Sequence, residues 1–203
     1  DLQQKAQWRY WLARSHEALD GPTEVSDHLY RNIAGMRHYY GFLASRRLGL
    51  TGQMNAQATK PLNAVDLLQV RRHPAITRSI ELFAVDDDIN GRREWYQALQ
   101  SMTPEQQVLS AELAQHLGLI SLAIRTANIA EANDYLHLRF PVAYEPQFRQ
   151  AGMKTNVEVP LLLALARQES ALEPQARSSA DARGLMQLLP STARLVARRA
   201  RQP

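Results

Sequence analysis

The stretch LYRNIAGMRHYYGFL, Leu29 to Leu43, decides the fold class. Its large apolar residues Leu29, Ile33, Met36, Tyr40 and Leu43 are separated by four, three, four and three positions. That is the period of a helix with one buried face, whereas a half-buried strand alternates at every second residue. The spacing predicts an amphipathic helix here, with Gly49 as its stop.

The same period recurs in both directions. Upstream, Trp8, Trp11, Ser15 and Ala18 fall on one stripe, with Leu12 and Leu19 beside it. LDGPTEVS (residues 19–26) reads as a turn followed by the capping candidates Thr23 and Ser26. Downstream, LTGQMNAQATKP (50–61) has no periodicity and reads as a linker. Leu62, Val65 and Leu68 then mark a short helix that ends before Pro74, and Ile76, Ile80 and Phe83 mark one face of the next. REWYQALQSM (93–102) and LISLAIRTANIAEAN (119–133) continue the series. TPEQ (103–106) supplies a cap with Pro at the first helical position. No run alternates as a strand does. The expected fold is all-α, an irregular superhelical array of antiparallel helix pairs without a strict repeat, followed by a different C-terminal part.

Composition narrows the function classes. The chain has 203 residues, 45% hydrophobic and 22% charged, which suits a globular protein. No apolar run approaches the roughly 20 residues of a membrane span. Absence of cysteine excludes disulfides and thiolate metal sites. The six histidines are scattered, with no H-E-x-x-H pair, and no phosphate loop, dinucleotide fingerprint or G-x-S-x-G is present. Asp86, Asp87 and Asp88 lack the alternation of a calcium loop and read as a turn. Neither a metal nor a cofactor is expected. The net charge of +4 comes wholly from residues 151–203, where Arg194, Arg198, Arg199 and Arg201 cluster. No aromatic residues interleave with them, so they read as a solvated helix face and not a nucleic-acid site.

The chemistry concentrates near the C-terminal end. VPLLLALARQES (159–170) is an apolar helix that ends in Glu169 and Ser170. A carboxylate in the last turn opposes the helix dipole. A carboxyl placed beside apolar surface is what a general acid near neutral pH requires, although a helix-end Glu is more often simply a surface residue. Glycoside hydrolysis ordinarily uses two carboxylates. Glu173 is turned away from helix by Pro174, and Asp181 lies in a polar loop, so neither makes a convincing second acid. GLMQ (184–187) reads either as a core turn or as a close-approach glycine followed by an amide that bonds sugar groups.

Taken together, VPLLLALARQESALEPQARSSADARGLMQLLPSTAR (159–194) resembles the opening of the catalytic domain of soluble lytic transglycosylases. The resemblance rests on E-S, a short loop, G-L-M-Q and then P-x-T-A. Upstream, YWLAR, YYGFLASRRLG, ELFAVDDDINGRREWYQAL and RFPVAY are similar to the helical superhelix and linker of the same enzymes. The resemblance implies cleavage of the β-1,4 bond between N-acetylmuramic acid and N-acetylglucosamine in peptidoglycan, leaving a 1,6-anhydro sugar. It implies a single Glu as acid and then base, which maps onto Glu169, desolvated at the floor of a cleft. Ser170, Gly184, Leu185, Met186 and Gln187 would bind or frame the sugar, with Met186 packing and Gln187 hydrogen bonding. It implies a periplasmic protein whose partner is the glycan strand. It also implies an internal slice of a longer chain: residues 1–60 from the end of the superhelix, 61–140 a helical linker domain, and 141–203 the N-terminal part of a lysozyme-like domain that continues past Pro203. The slice alone is expected to be inactive. The alternative is a non-catalytic helical module that binds glycan or protein.

Overall fold

A computed structural model describes residues 2–19, 21–56 and 63–200. Leu62 and Arg201, both used above, lie outside them. The described residues form helices joined by turns and loops, with no sheet among them. The chain divides into two compact units, Asp1–Ala56 and Gln57–Pro203.

The first unit holds α1 (Leu2–Ala18), α2 (Thr23–Ala34) and α3 (Tyr39–Arg47). The Leu29–Leu43 stripe does face one core. Ile33 is fully buried there, and Leu29, Met36, Tyr40 and Leu43 pack against it. The stripe is carried by two helices, however, and not one. Between Ala34 and Tyr39 the chain turns so tightly that a Cβ on Gly41 would lie 2.0 Å from the Met36 carbonyl oxygen. His38 caps α3 by accepting from the Gly41 N–H, and the Ser45 hydroxyl donates to the Ala34 carbonyl at 2.9 Å. The helix end created by the break is therefore satisfied, as buried backbone groups require. Gly49 follows α3 with φ +68°, the expected stop.

On α1 the buried face differs from the expected one. Ala6, Tyr10 and Ala13 are buried, whereas Trp8, Trp11, Leu12 and Leu19 are exposed. Small alanines let α2 approach closely, and Tyr10 fills the seam with its ring 5.6 Å from both Tyr30 and Tyr40. Thr23 and Ser26 do not cap α2 with their side chains. Pro22 occupies the cap position, and the Ser26 hydroxyl turns back to the Thr23 carbonyl.

The second unit begins with α4 (Ala64–Arg71), α5 (Pro74–Ala84), α6 (Asp88–Leu99), α7 (Pro104–His116) and α8 (Ile120–Ile129). Helices α5 and α6, and α7 and α8, pair across short turns. Asp87 caps α6, and Thr103 with Gln106 forms a reciprocal capping box on α7, as TPEQ predicts. Trp95 is fully buried among Ile76, Leu99, Leu113 and Leu122, and its indole N–H donates to the Thr126 hydroxyl at 3.0 Å. That bond offsets the cost of burying the polar end of the ring. After the short α9 (Leu136–Arg139) come α10 (Glu145–Thr155), α11 (Val159–Ser170) and α12 (Pro190–Arg199), which begins at Pro190 as expected. One core joins Ile124 of α8 to Phe148 of α10, Ala166 of α11 and Leu172 of the next loop. This core fixes the end of α11 in space.

Candidate active site

Helix α11 opens with Pro160 in its first turn and closes on Ala171 and Leu172, both left-handed, with φ of 55° and 60°. Two consecutive non-glycine residues in that region cost of order 1–3 kcal/mol each and persist only where the surroundings hold them. Here Leu172 is held by burial at 1% exposure.

Glu169 is exposed. It lies on the same helical row as Leu161 and Leu165, eight and four positions earlier, which are 62% and 44% exposed. The expected desolvated acid at the floor of a cleft is thus corrected. The carboxyl stands at the end of an apolar row that is exposed among the described residues. The greasy side chains that do go inward, Leu162 and Leu163, are on other rows.

Ser170 is 3% exposed and its hydroxyl bonds three backbone groups. The hydroxyl proton is shared between the carbonyls of Ala166 and Leu185, each at 3.0 Å, and the oxygen accepts from the Glu173 N–H at 3.2 Å. Ser170 therefore ties the end of α11 to the GLMQ turn, with its one proton spent on backbone carbonyls.

The turn itself is built by Gly184 and Gln187. Gly184 has φ +71°, and its N–H donates to the Ala176 carbonyl at 2.9 Å. The Gln187 side-chain amide donates to the carbonyls of Ala176 and Gly184, at 3.2 and 3.0 Å. Its two N–H groups are thus spent on the turn, which leaves the side-chain carbonyl as what it can present to a ligand. Leu185 and Met186 are half-buried and pack on the Ile124–Phe148–Ala166–Leu172 core. Sequence reading brought Glu169, Ser170 and GLMQ together; the structure joins Ser170 to Leu185 directly and adds the reason, one hydroxyl.

The two rejected carboxylates have structural occupations. Asp181 pairs with Arg177 at 2.7 Å and with Arg183 at 2.9 Å, so its carboxyl is held below the usual range, chiefly by the Arg183 hydrogen bond. Glu173 pairs with Arg92 of α6 at 2.7 Å. Arg92 was invisible to sequence reading, because nothing in the local pattern marks an arginine that meets its partner 81 residues away. Tyr144, left-handed at the start of α10, lines a pocket together with Arg92, Leu172 and Glu173, and burial followed by the charge of Glu173 raises its phenol. Arg167 lies over the Phe140 ring at 4.3 Å and donates to the Arg139 carbonyl; burial and then the Arg139 charge lower its guanidinium. Among the described residues no group of His, Asp and Glu has the arrangement of a metal site. No described helix is long and apolar enough to cross a membrane.

Two sequence profiles match. Residues 146–203 fit the transglycosylase SLT domain, and residues 69–136 fit the soluble lytic murein transglycosylase L domain. The chain belongs to the soluble lytic transglycosylase family. A Haemophilus influenzae protein provisionally named a soluble lytic murein transglycosylase is 33% identical over 193 residues, which is 95% of this chain and 31% of that protein. The structure of an inactive Glu-to-Gln mutant of lytic transglycosylase Slt from Pseudomonas aeruginosa superposes with a TM-score of 0.88 at 34% identity, over 98% of this chain and 32% of that one. The 70 kDa soluble lytic transglycosylase of Escherichia coli gives 0.83 at 26%, over 100% and 32%. The chain spans about a third of the length of these relatives. Within the transglycosylase family's own parts, Arg92 and Trp95 lie in the L-domain match, and Glu169 through Gln187 lie in the SLT match.

Proposed function

We propose that this chain belongs to a periplasmic enzyme that cleaves the β-1,4 bond between N-acetylmuramic acid and N-acetylglucosamine in peptidoglycan strands and leaves a 1,6-anhydro product. Glu169 serves first as acid to the leaving oxygen and then as base to the muramyl C6 hydroxyl. Residues 1–60 belong to a superhelix, 61–140 to a helical linker, and 141–203 to the first part of a lysozyme-like domain.

One observation carries this reading: Glu169 ends an apolar row of α11, next to a serine whose hydroxyl fixes the GLMQ turn beside it. Family membership adds support, as does the solved relative described as inactive through a Glu-to-Gln change. Glu173 and Asp181 are both committed to arginines, which suits a mechanism with one acid. Gly184, Leu185, Met186 and Gln187 frame the sugar site on this reading, while Ser170 positions them. In the intact protein, Glu169→Gln keeps shape and removes the acid. Release of anhydro-muropeptides from sacculi should fall by ~10²- to 10⁴-fold, the usual worth of general acid–base assistance. Release near the wild-type rate would rule Glu169 out.

A further inference from the structure

The loop 171–176 has three handles. On one side the Glu173 N–H is held by the Ser170 hydroxyl, whose proton reaches the Leu185 carbonyl. On a second side the Ala176 carbonyl accepts from the Gly184 N–H and from the Gln187 amide. The third handle comes from elsewhere in the chain. Arg92 of α6 places its guanidinium 2.7 Å from the Glu173 carboxylate, whose side chain is 15% exposed. Arg92 also lies 3.4 Å from Asp88, one turn away on its own helix, but that carboxylate is 51% exposed and the contact is longer. Within the loop the Glu173 carboxylate also accepts from the Gln175 N–H at 3.4 Å, and the phenols of Tyr96 in α6 and Tyr144 at the start of α10 both feel its charge.

A loop with two successive left-handed residues needs holding from outside itself. Leu172 supplies apolar holding by burial. The charge pair supplies direction, because a carboxylate shielded by protein and paired to a guanidinium has a preferred position that a methylene does not. Arg92 lies in the L-domain match and Glu173 in the SLT match, so the pair spans the two.

We propose that Arg92 is a positioning residue for the reaction: it fixes Glu173, and through the Glu173 N–H, the Ser170 hydroxyl and the Leu185 carbonyl it sets the GLMQ turn relative to Glu169. The helical linker thereby determines the geometry of a catalytic site to which it contributes no reacting group. This rests on Glu169 and GLMQ being that site.

The test uses the intact protein containing this chain, with two readouts. Arg92→Met keeps the stem and removes the charge; Arg92→Lys keeps the charge; Arg92→Glu with Glu173→Arg reverses the pair. Arg92→Met should lower kcat for muropeptide release by about tenfold with KM within about twofold, since a misplacement of about 1 Å can cost up to 10²-fold. Amide exchange across residues 171–187 should quicken in the same variant while that of α7 stays unchanged. Arg92→Lys and the reversed pair should recover most of both. Glu173→Gln, which removes the charge with little change of shape, should match Arg92→Met and stands in for it if Arg92→Met fails to fold. Wild-type exchange over 171–187 in Arg92→Met overturns the proposal, and so does faster exchange with unaltered kcat. Glu169→Gln is measured alongside. If that variant turns over normally, the reaction assignment fails, and the exchange measurement alone then decides whether Arg92 holds the loop.

Discussion

Ser170→Ala probes the joint on which the site depends. The substitution removes one oxygen and leaves shape nearly unchanged, so its cost comes from lost hydrogen bonds. Three partners are affected, and two have other bonds. The Glu173 N–H also reaches the Ser170 carbonyl at 3.3 Å, and the Ala166 carbonyl accepts from the Leu172 N–H at 3.5 Å. The Leu185 carbonyl depends on the hydroxyl. That bond is part-buried, and leaving a buried acceptor unsatisfied costs about 1–3 kcal/mol, so the second unit should lose about 1 kcal/mol, the low end of that range. At about 1–3 kcal/mol per molar of urea, this lowers the midpoint by roughly 0.5 M. Trp95 is buried in the second unit, while Trp8 and Trp11 lie in the first. In a Trp8→Phe/Trp11→Phe background, tryptophan fluorescence therefore reports the second unit alone. A midpoint within about 0.2 M of the parent would refute the argument, because a replaced bond of this kind is not energetically silent.

Two further outcomes follow from the same region. The carboxyl of Asp181 is depressed in the folded state by Arg183 and Arg177, so its stabilising contribution is present above the unfolded carboxylate value of about 3.9 and is lost as pH falls through the lower folded value. Asp181→Asn should therefore be less stable than the parent at pH 7 in urea denaturation, and the gap should close towards pH 2; a constant gap would contradict it. The 203-residue chain by itself should release no anhydro product from sacculi, because Leu161, Leu165 and Glu169 stand uncovered and a general acid works only on an oxygen held within hydrogen-bond reach. Detection of anhydro-muropeptides with the purified chain would count against this.

The helical class was legible because period and caps coincide. Thr103–Gln106 and the Ile76–Ile80–Phe83 face appear in the structure as the sequence implies. The α1 stripe misled because bulk was mistaken for burial: close packing selected Ala6 and Ala13, which weigh little in any count of large apolar residues. The break at Gly35–His38 was hidden because two short helices preserved one apolar row across a tight turn. At the site, Glu169, Ser170 and GLMQ could be read from their types and spacing. Their division of labour could not. Whether a serine hydroxyl or a glutamine amide faces ligand or backbone is decided by distant carbonyls, and the Arg92–Glu173 pair spans 81 positions with no local trace.

The left-handed pair after α11 has a consequence for sequence drift. Ala171 and Leu172 share a backbone conformation but not a fate. Glycine at 171 would relieve a methyl group of its strain and give up little packing, so that substitution can spread, and can even compensate for damage elsewhere in the domain. Glycine at 172 would relieve similar strain but empty the pocket that a leucine at 1% exposure fills, at about 2–5 kcal/mol even for alanine. Adjacent codons therefore face opposite selection, and the turn retains its leucine while its alanine can give way to glycine.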